Sequence, residues 1–138
     1  MLKNLWSRVF GPEAEARRLN RDAAYIVHSL SEEHYGPIRA EVAADLRKDI
    51  DYVLETFVRK DNAYGYRRAE DHLSRLHSEA RRRRDQRALT SLTLTIIYLR
   101  AERLGTMGGP ARKAINDFLA EWTQGVPDRS GVLPPDRR

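Results

Sequence analysis

The sequence predicts an all-α fold, an antiparallel bundle of four to five helices with a short N-terminal amphipathic helix. Apolar residues recur three or four positions apart over several long stretches, which is the spacing of one helix face. A Gly-Pro pair occurs three times, at Gly11, Gly36 and Gly109, each time just before such a stretch. Proline suits the first turn of a helix. A chain of 138 residues is also the right size for one domain with a single core.

We divide the chain into an N-terminal arm at 1–11, a helical bundle at 12–124 and a flexible tail at 125–138. The tail contains three prolines and is rich in charge, which favours a loose segment. The arm places apolar residues on one side of a short helix. One interpretation is an arm that docks on a partner, or on a membrane surface through residues 1–10. The other is a segment folded onto its own core. The contact residues of a docking arm would be Leu2, Leu5, Trp6 and Phe10.

Two long helices are predicted after the arm. The first begins at Pro12 and ends near Tyr35. The second runs from Pro37 to about Lys60 and has the clearest apolar stripe in the chain. Charges of both signs cover its other face, which is typical of a solvated helix surface. The stripe comprises Ile38, Val42, Leu46, Ile50, Val53, Leu54, Phe57 and Val58.

A turn at 61–65 leads into a third helix, and the stretch at 89–104 predicts a fourth. Residues 92–96 alternate as a strand would, but no second strand is available to take their backbone hydrogen bonds. We therefore predict a helix that is buried on most of its circumference and ends at Gly105. The third helix has an apolar set of Ala69, Leu73, Leu76 and Ala80.

The connection between the third and fourth helices decides the architecture. No glycine or proline separates Arg81–Arg84 from the apolar stretch that follows. One continuous rod of about 40 residues would be about 60 Å long and would argue for a dimer. A break near Arg84–Gln86 would give a compact bundle, and we favour the break.

The last helix is predicted to begin at Pro110, after a glycine-rich loop at 105–109, and to end at Gly125. Its inward-facing residues would be Ala114, Ile115, Phe118, Leu119 and Trp122.

Composition narrows the classes of function. The absence of cysteine excludes disulfides, thiolate metal sites and cysteine nucleophiles. The first ten residues contain no continuous apolar run of the kind a signal peptide needs. We therefore expect a cytoplasmic protein. The net charge is +5, and 21 of the 25 basic residues are arginines, which suit bidentate contacts with carboxylates or phosphates.

An arginine cluster is the main functional signal. We predict partner binding by Arg67, Arg68, Arg75, Arg81, Arg82, Arg83, Arg84 and Arg87. The favoured function is a non-enzymatic interaction or regulatory module that docks on an acidic protein surface or forms a homo-oligomer. The alternative is a nucleic-acid-binding protein that uses Arg81–Arg84. Against the alternative, acidic residues are interleaved with the arginines, and a solvated, internally paired face remains open.

The histidines supply neither a metal site nor a cofactor site that we can recognise. None follows a glutamate at the Glu-x-x-His spacing of di-iron bundles. Arg67 and His72, with four residues between them, and Arg21 and His28, with six, resemble the motif of the HEPN-type ribonucleases at the level of spacing. That resemblance would imply acid–base work for His72 and phosphate contact for Arg67. A HEPN-like ribonuclease is the minor alternative; we otherwise expect no catalytic residue, metal or cofactor.

Overall fold

The computed structural model describes residues 2–32, 36–61 and 63–124, including the side chains of 11–32, 38–61 and 63–122. These residues form five helices packed against each other, with no strand among them. The helices are α1 (Leu2–Leu30), α2 (Gly36–Val53), α3 (Gly65–Arg82), α4 (Gln86–Arg103) and α5 (Gly109–Gln124). A π-helical turn (Leu54–Val58) extends α2, and a short 3-10 helix (Gly105–Gly108) precedes α5. The predicted all-α bundle is confirmed, whereas the predicted tail at 125–138 lies outside the described residues.

Gly11 interrupts α1. Its backbone has φ 62° and ψ −166°, a conformation that glycine adopts without strain. Pro12 then restarts the helix, and the onward part buries Leu19, Ala23 and Leu30 in the core. The side chains of residues 2–10 lie outside the described part, so the amphipathic character of the arm stays a prediction.

The central helix of the bundle is α4, which packs against the other four helices. Its two buried polar residues bond within the helix: the Thr95 hydroxyl donates to the Ser91 carbonyl at 2.8 Å, and the Ser91 hydroxyl to the Ala88 carbonyl at 3.3 Å. This local bonding lets a threonine-rich segment occupy the core. The prediction of a helix buried on most of its circumference is confirmed. Neither α4 nor any other described helix is long and apolar enough to cross a membrane.

Two apolar clusters meet at α4. The larger joins α4 to α1, α2 and α5, partly through Leu94 and Ile97. The smaller joins α4 to α3 and the end of α2, partly through Leu92 and Leu99. Because α3 packs mainly against α4 and the π-helical turn, it is an edge helix with a narrow buried stripe. Leu76, which belongs to the apolar set of this helix, is 36% exposed and lies at the margin of the stripe.

The predicted break between the third and fourth helices is confirmed. Arg84 has a left-handed backbone with φ 56°. The Asp85 amide donates to the Ala80 carbonyl at 2.9 Å and the Arg84 amide to the Arg81 carbonyl at 3.1 Å, which is the Schellman pattern of a helix C-terminus. The Asp85 carboxylate then accepts from the Ala88 amide at 3.1 Å and caps α4. The rod that would have required a dimer is therefore absent.

The predicted second helix is one element in sequence but two in structure. It leaves α-helical bonding at Leu54, and the Arg59 amide donates to the Leu54 carbonyl at 2.9 Å, a π-type bond. Gly65, at the start of α3, lies directly on this turn: a Cβ at Gly65 would be 2.8 Å from the Val58 Cα. The missing side chain therefore allows α3 to approach the turn closely.

The first and last helices are joined by Asn20 on α1. Its side-chain oxygen accepts from the Ala111 amide at 2.9 Å, and its side-chain nitrogen donates to the Met107 carbonyl at 3.2 Å. Met107 lies in the 3-10 helix, within the segment predicted as a loop, and Ala111 lies in the first turn of α5. Asn20 thus satisfies an amide at the N-terminus of α5 that has no partner within the helix.

Candidate interaction surface

The outer face of α3 and the joint that follows it carry most of the predicted partner-binding residues. All eight predicted arginines are exposed. Five of them lie on α3, two in the joint and one on α4. The edge position of α3 explains this exposure, since only the side that carries Ala69, Leu73 and Ala80 is buried. All eight side chains picked out from the sequence are therefore accessible to solvent.

Three of the eight arginines have carboxylate partners within the molecule. Arg87 makes two hydrogen bonds to Asp45 on α2, at 2.6 and 3.1 Å. Arg68 lies 3.7 Å from Asp61 at the start of the preceding turn. Arg83 lies 3.8 Å from Glu79 and 3.7 Å from Asp85. These three side chains therefore stabilise the fold or the joint through carboxylates of the protein itself.

The other five arginines make no ion pair with any residue that the structure describes. Two of them, Arg67 and Arg75, lie on the outer face of α3 with Asp71 between them, one turn from each. The remaining three, Arg81, Arg82 and Arg84, lie at the C-terminal end of α3. Basic side chains there favour the helix dipole, but their guanidinium groups remain exposed and available to another molecule.

An aromatic cluster borders the arginine face, and sequence analysis missed it. His72 on α3 packs against Tyr52 and Phe57, with ring centroids 5.5 and 5.4 Å away, and those two rings also contact each other at 6.2 Å. Burial, and secondarily the charge of Arg75, lower the pKa of His72. Tyr52 is 50% exposed. No sequence signal joins these residues, because the contact crosses from the end of α2 to the middle of α3.

A groove runs along α4 between α1 and α3. Its larger part has a volume of about 480 Å³ and its smaller part about 240 Å³, and the two share Tyr25, Ile26 and Thr93. The floor is apolar at Ile96 and Ile97. The His77 Nε2 lies 3.3 Å from the Thr93 hydroxyl and already has a polar partner. The groove is a concave surface with both apolar and polar side chains.

On the other side of α3, a shallow cleft carries acidic residues of α2. Burial, and then the nearby Asp45 carboxylate, raise the pKa of Asp49. The Ser91 hydroxyl lies 3.4 Å from Asp49, shares its one proton between this carboxylate and the Ala88 carbonyl, and opposes that shift. Arg87 neutralises Asp45 at the same edge. Among the described residues no group of three or more metal-ligating side chains converges, here or elsewhere.

Of the two arginine–histidine pairs suggested by the ribonuclease spacing, the pair on α3 does not share a helix face. Arg67 and His72 are five positions apart on an unbroken helix, so they point about 140° apart. Arg67 is exposed, whereas His72 is packed against aromatic rings. Arg21 and His28 share a face of α1, but each lies near a carboxylate, Asp22 at 3.7 Å and Glu32 at 3.4 Å.

The predicted contact residues of the arm, Leu2, Leu5, Trp6 and Phe10, have side chains outside the described part of the chain.

Comparison with known proteins adds no family: no protein-family model, curated protein or solved structure matches the chain significantly. The interpretation of function therefore depends on the geometry of this molecule alone.

Proposed function

We propose that the protein is a non-enzymatic helical interaction module that docks on protein partners, or on itself, through the arginine-rich outer face of α3. The observation that carries the proposal is that some arginines are paired within the fold and others are exposed without an ion-pair partner among the described residues. Arg87 is committed to Asp45 within the fold, whereas Arg67, Arg75 and Arg82 are exposed and form no ion pair with a described residue. Arginines held on a rigid helix are ready for bidentate bonds to carboxylates.

The charge pattern favours a protein partner over a nucleic acid. Asp71 lies between Arg67 and Arg75, and Glu79 lies one turn beyond Arg75. A continuous phosphate backbone would meet these carboxylates as well as the arginines, and the repulsion would weaken binding. A protein surface can place a basic group opposite each carboxylate.

A charge-reversal pulldown tests the proposal. The full chain is used as bait against a cell extract, with captured proteins measured quantitatively and self-association measured by light scattering. Replacing Arg67, Arg75 and Arg82 with glutamate should abolish the interactions of the wild-type chain. The matched control replaces Arg17, Arg47 and Lys48, which are exposed on other helices, with glutamate. This control variant should retain the interactions of the wild-type chain. Equal capture by both variants, or none by the wild type together with a strictly monomeric mass, contradicts the proposal.

A nucleic-acid-binding function is the second candidate, favoured by the exposed Arg81, Arg82 and Arg84 at the end of α3. Fluorescence anisotropy with generic RNA and DNA at two salt concentrations tests it. Each arginine that contacts phosphate should contribute about 0.9 to the salt slope on duplex DNA. Reversal of the three arginines to glutamate should remove the binding, and binding unaffected by that change rules the candidate out.

The proposed role of the arm depends on its sequence, because its side chains lie outside the described part of the chain. Leu2, Leu5, Trp6 and Phe10 would extend the docking surface, to a partner or to a membrane surface. Gly11 would allow the arm to take its own direction, since its backbone departs from helical geometry. Removal of residues 1–10 should then weaken partner capture without unfolding the bundle.

A further inference from the structure

A row of alternating charges crosses the outer face of α3. Arg67, Asp71, Arg75 and Glu79 follow one another at intervals of four residues, all exposed. Residues four apart form a continuous ridge on a helix surface. Arg67, Asp71 and Arg75 form no ion pair with a described residue, and Glu79 is 3.8 Å from Arg83. The row is therefore an ordered set of charges with little internal neutralisation.

The order of these charges is self-complementary. When a second α3 lies antiparallel, with the two-fold axis level with Leu73, residue 71 faces residue 75 of the other copy, and residue 67 faces residue 79. Each of the four facing pairs then joins an arginine to a carboxylate. In a two-fold interface the same contact is made twice, so every favourable pair is doubled.

Helix geometry permits this pairing. The ridge formed by every fourth residue is inclined by about 26° to the helix axis, and two such ridges run parallel when the helices cross at about −50°, the commonest class of helix packing. Asp71 and Arg75 lie at the centre of the crossing. Ser74 and Ser78, on the neighbouring row, are small and exposed, which leaves room for the second helix. Arg67 and Glu79 lie farther out, where long side chains can span the wider gap.

We propose that the exposed row Arg67–Asp71–Arg75–Glu79 is a docking surface for the same row of a second copy of this chain, forming a two-fold antiparallel dimer. This inference rests on the proposed function and names its partner. A single helix crossing that lacks an apolar centre buries little area, so the dimer is weak and depends on salt.

Reciprocal charge reversal tests the proposal. At low ionic strength, near 0.01 M, the Debye length is about 30 Å, and light scattering of the concentrated protein should give a mass approaching twice the 16.0 kDa of the chain. At about 1 M salt the mass should return to that of the monomer. Asp71→Arg alone, or Arg75→Asp alone, places like charges opposite each other twice and should give monomers.

Two combinations should restore the dimer. The double variant Asp71→Arg/Arg75→Asp exchanges the charges but keeps every facing pair complementary. An equimolar mixture of the two single variants should form a heterodimer, because positions 71 and 75 are both basic in one chain and both acidic in the other. The control mixture pairs Asp71→Arg with Arg17→Asp, whose change lies on α1. It has the same net charges but should not form a heterodimer, because the arginine introduced at position 71 of one chain would face Arg75 of the other; Arg17→Asp keeps the intact row and should form only its own homodimer. Circular dichroism confirms that each variant is folded.

The outcomes separate this inference from the proposed function. A wild-type chain that is monomeric at low salt overturns the dimer, as does a heterodimer that also forms in the control mixture. If the wild type is monomeric while arginine-dependent capture of another protein persists, the docking function stands and the dimer does not. Dimerisation of Asp71→Arg at the wild-type level would place the interface elsewhere and also contradict the inference.

Discussion

Arg87 and Asp45 join α4 to α2 by two hydrogen bonds, from Nε to Oδ2 at 2.6 Å and from Nη2 to Oδ1 at 3.1 Å. The planar guanidinium matches both carboxylate oxygens. Glu41 adds a second carboxylate at 3.9 Å. The bonds and the negative charge of Asp45 raise the pKa of Arg87. Of the eight arginines predicted to bind partners, this one has the clearest role within the fold.

Arg87→Gln should therefore lower the midpoint of thermal unfolding, measured by far-ultraviolet circular dichroism. The substitution leaves Asp45 without its bidentate partner, next to Asp49. Arg87→Lys keeps the positive charge but cannot make both hydrogen bonds to Asp45. Its midpoint should therefore lie between those of the wild type and Arg87→Gln. Arg82→Gln is the matched control, because Arg82 has no ion-pair partner in the described structure; its midpoint should stay close to that of the wild type, lowered only by the loss of a favourable interaction with the helix dipole. Equal midpoints for Arg87→Gln and the control would contradict the assigned role.

Arg84→Gly should stabilise the protein by about 0.5–1 kcal/mol. Arg84 pays the cost of a left-handed backbone, about 1–2 kcal/mol for a residue with a side chain, and glycine removes that cost while gaining freedom in the unfolded chain. Urea unfolding measures the difference. In the helical last turn of α3, Arg82→Gly should instead cost roughly 0.5–1 kcal/mol. A loss of stability in both variants would show that the Arg84 side chain matters more than its backbone.

Gly108→Ala should destabilise the protein by about 1–3 kcal/mol, the usual cost of overpacking. A Cβ at Gly108 would lie 2.7 Å from the Cα of Ala101 on α4, so the 3-10 helix would have to move away. Gly109→Ala is the neighbouring control, since its Cβ would meet nothing within 4 Å and its backbone is helical at φ −55° and ψ −47°. Because Pro110 follows and disfavours a helical backbone at a preceding residue that carries a Cβ, Gly109→Ala should not gain stability, but its cost should stay below the roughly 1–3 kcal/mol expected for Gly108→Ala. Urea unfolding of both variants decides between these outcomes.

His72 should make the protein less stable as the pH falls. Its pKa in the folded protein is below the ordinary value of 6.5, so the unfolded chain takes up a proton first as pH falls. The free energy of unfolding should be at its full value when the pH is above the pKa of His72 in the unfolded chain. It should decrease as the pH falls from that pKa to the lower pKa of His72 in the folded state. His72→Gln should show a smaller decrease over the same interval. Urea midpoints at a series of pH values measure both, and parallel profiles would contradict the prediction.

Much of the fold could be predicted from sequence because most of its helices are amphipathic and three helical stretches begin at a Gly-Pro pair. The joint was harder, since Arg84 adopts a left-handed backbone without being glycine. The sequence signal that was available is Asp85, a capping residue directly before an apolar run. Likewise, the strand-like alternation at 92–96 was resolved only by the lack of a partner strand. The structure adds the physical reason, since Thr95 bonds to its own helix.

The candidate surface was predictable only in part. Composition and spacing identified the exposed arginines, but pairing depends on residues distant in sequence. Arg87 and Asp45 are 42 positions apart, and no local pattern predicts their contact. The same holds for the packing of Tyr52 against His72. The charge order on α3 was visible in the sequence, yet its meaning required knowing that this helix lies at the edge of the bundle.

The pairing of α1 with α5 through Asn20 has a consequence during synthesis. The apolar side of α1 packs mainly against α5 and α4, which leave the ribosome after α1, α2 and α3. At about 5–20 residues per second, the stretch from Leu30 to Gln124 takes on the order of 5–20 s to make. Leu19 and Ala23 must therefore wait for their partners, and the nascent chain exposes this side of α1 until translation reaches the final helix.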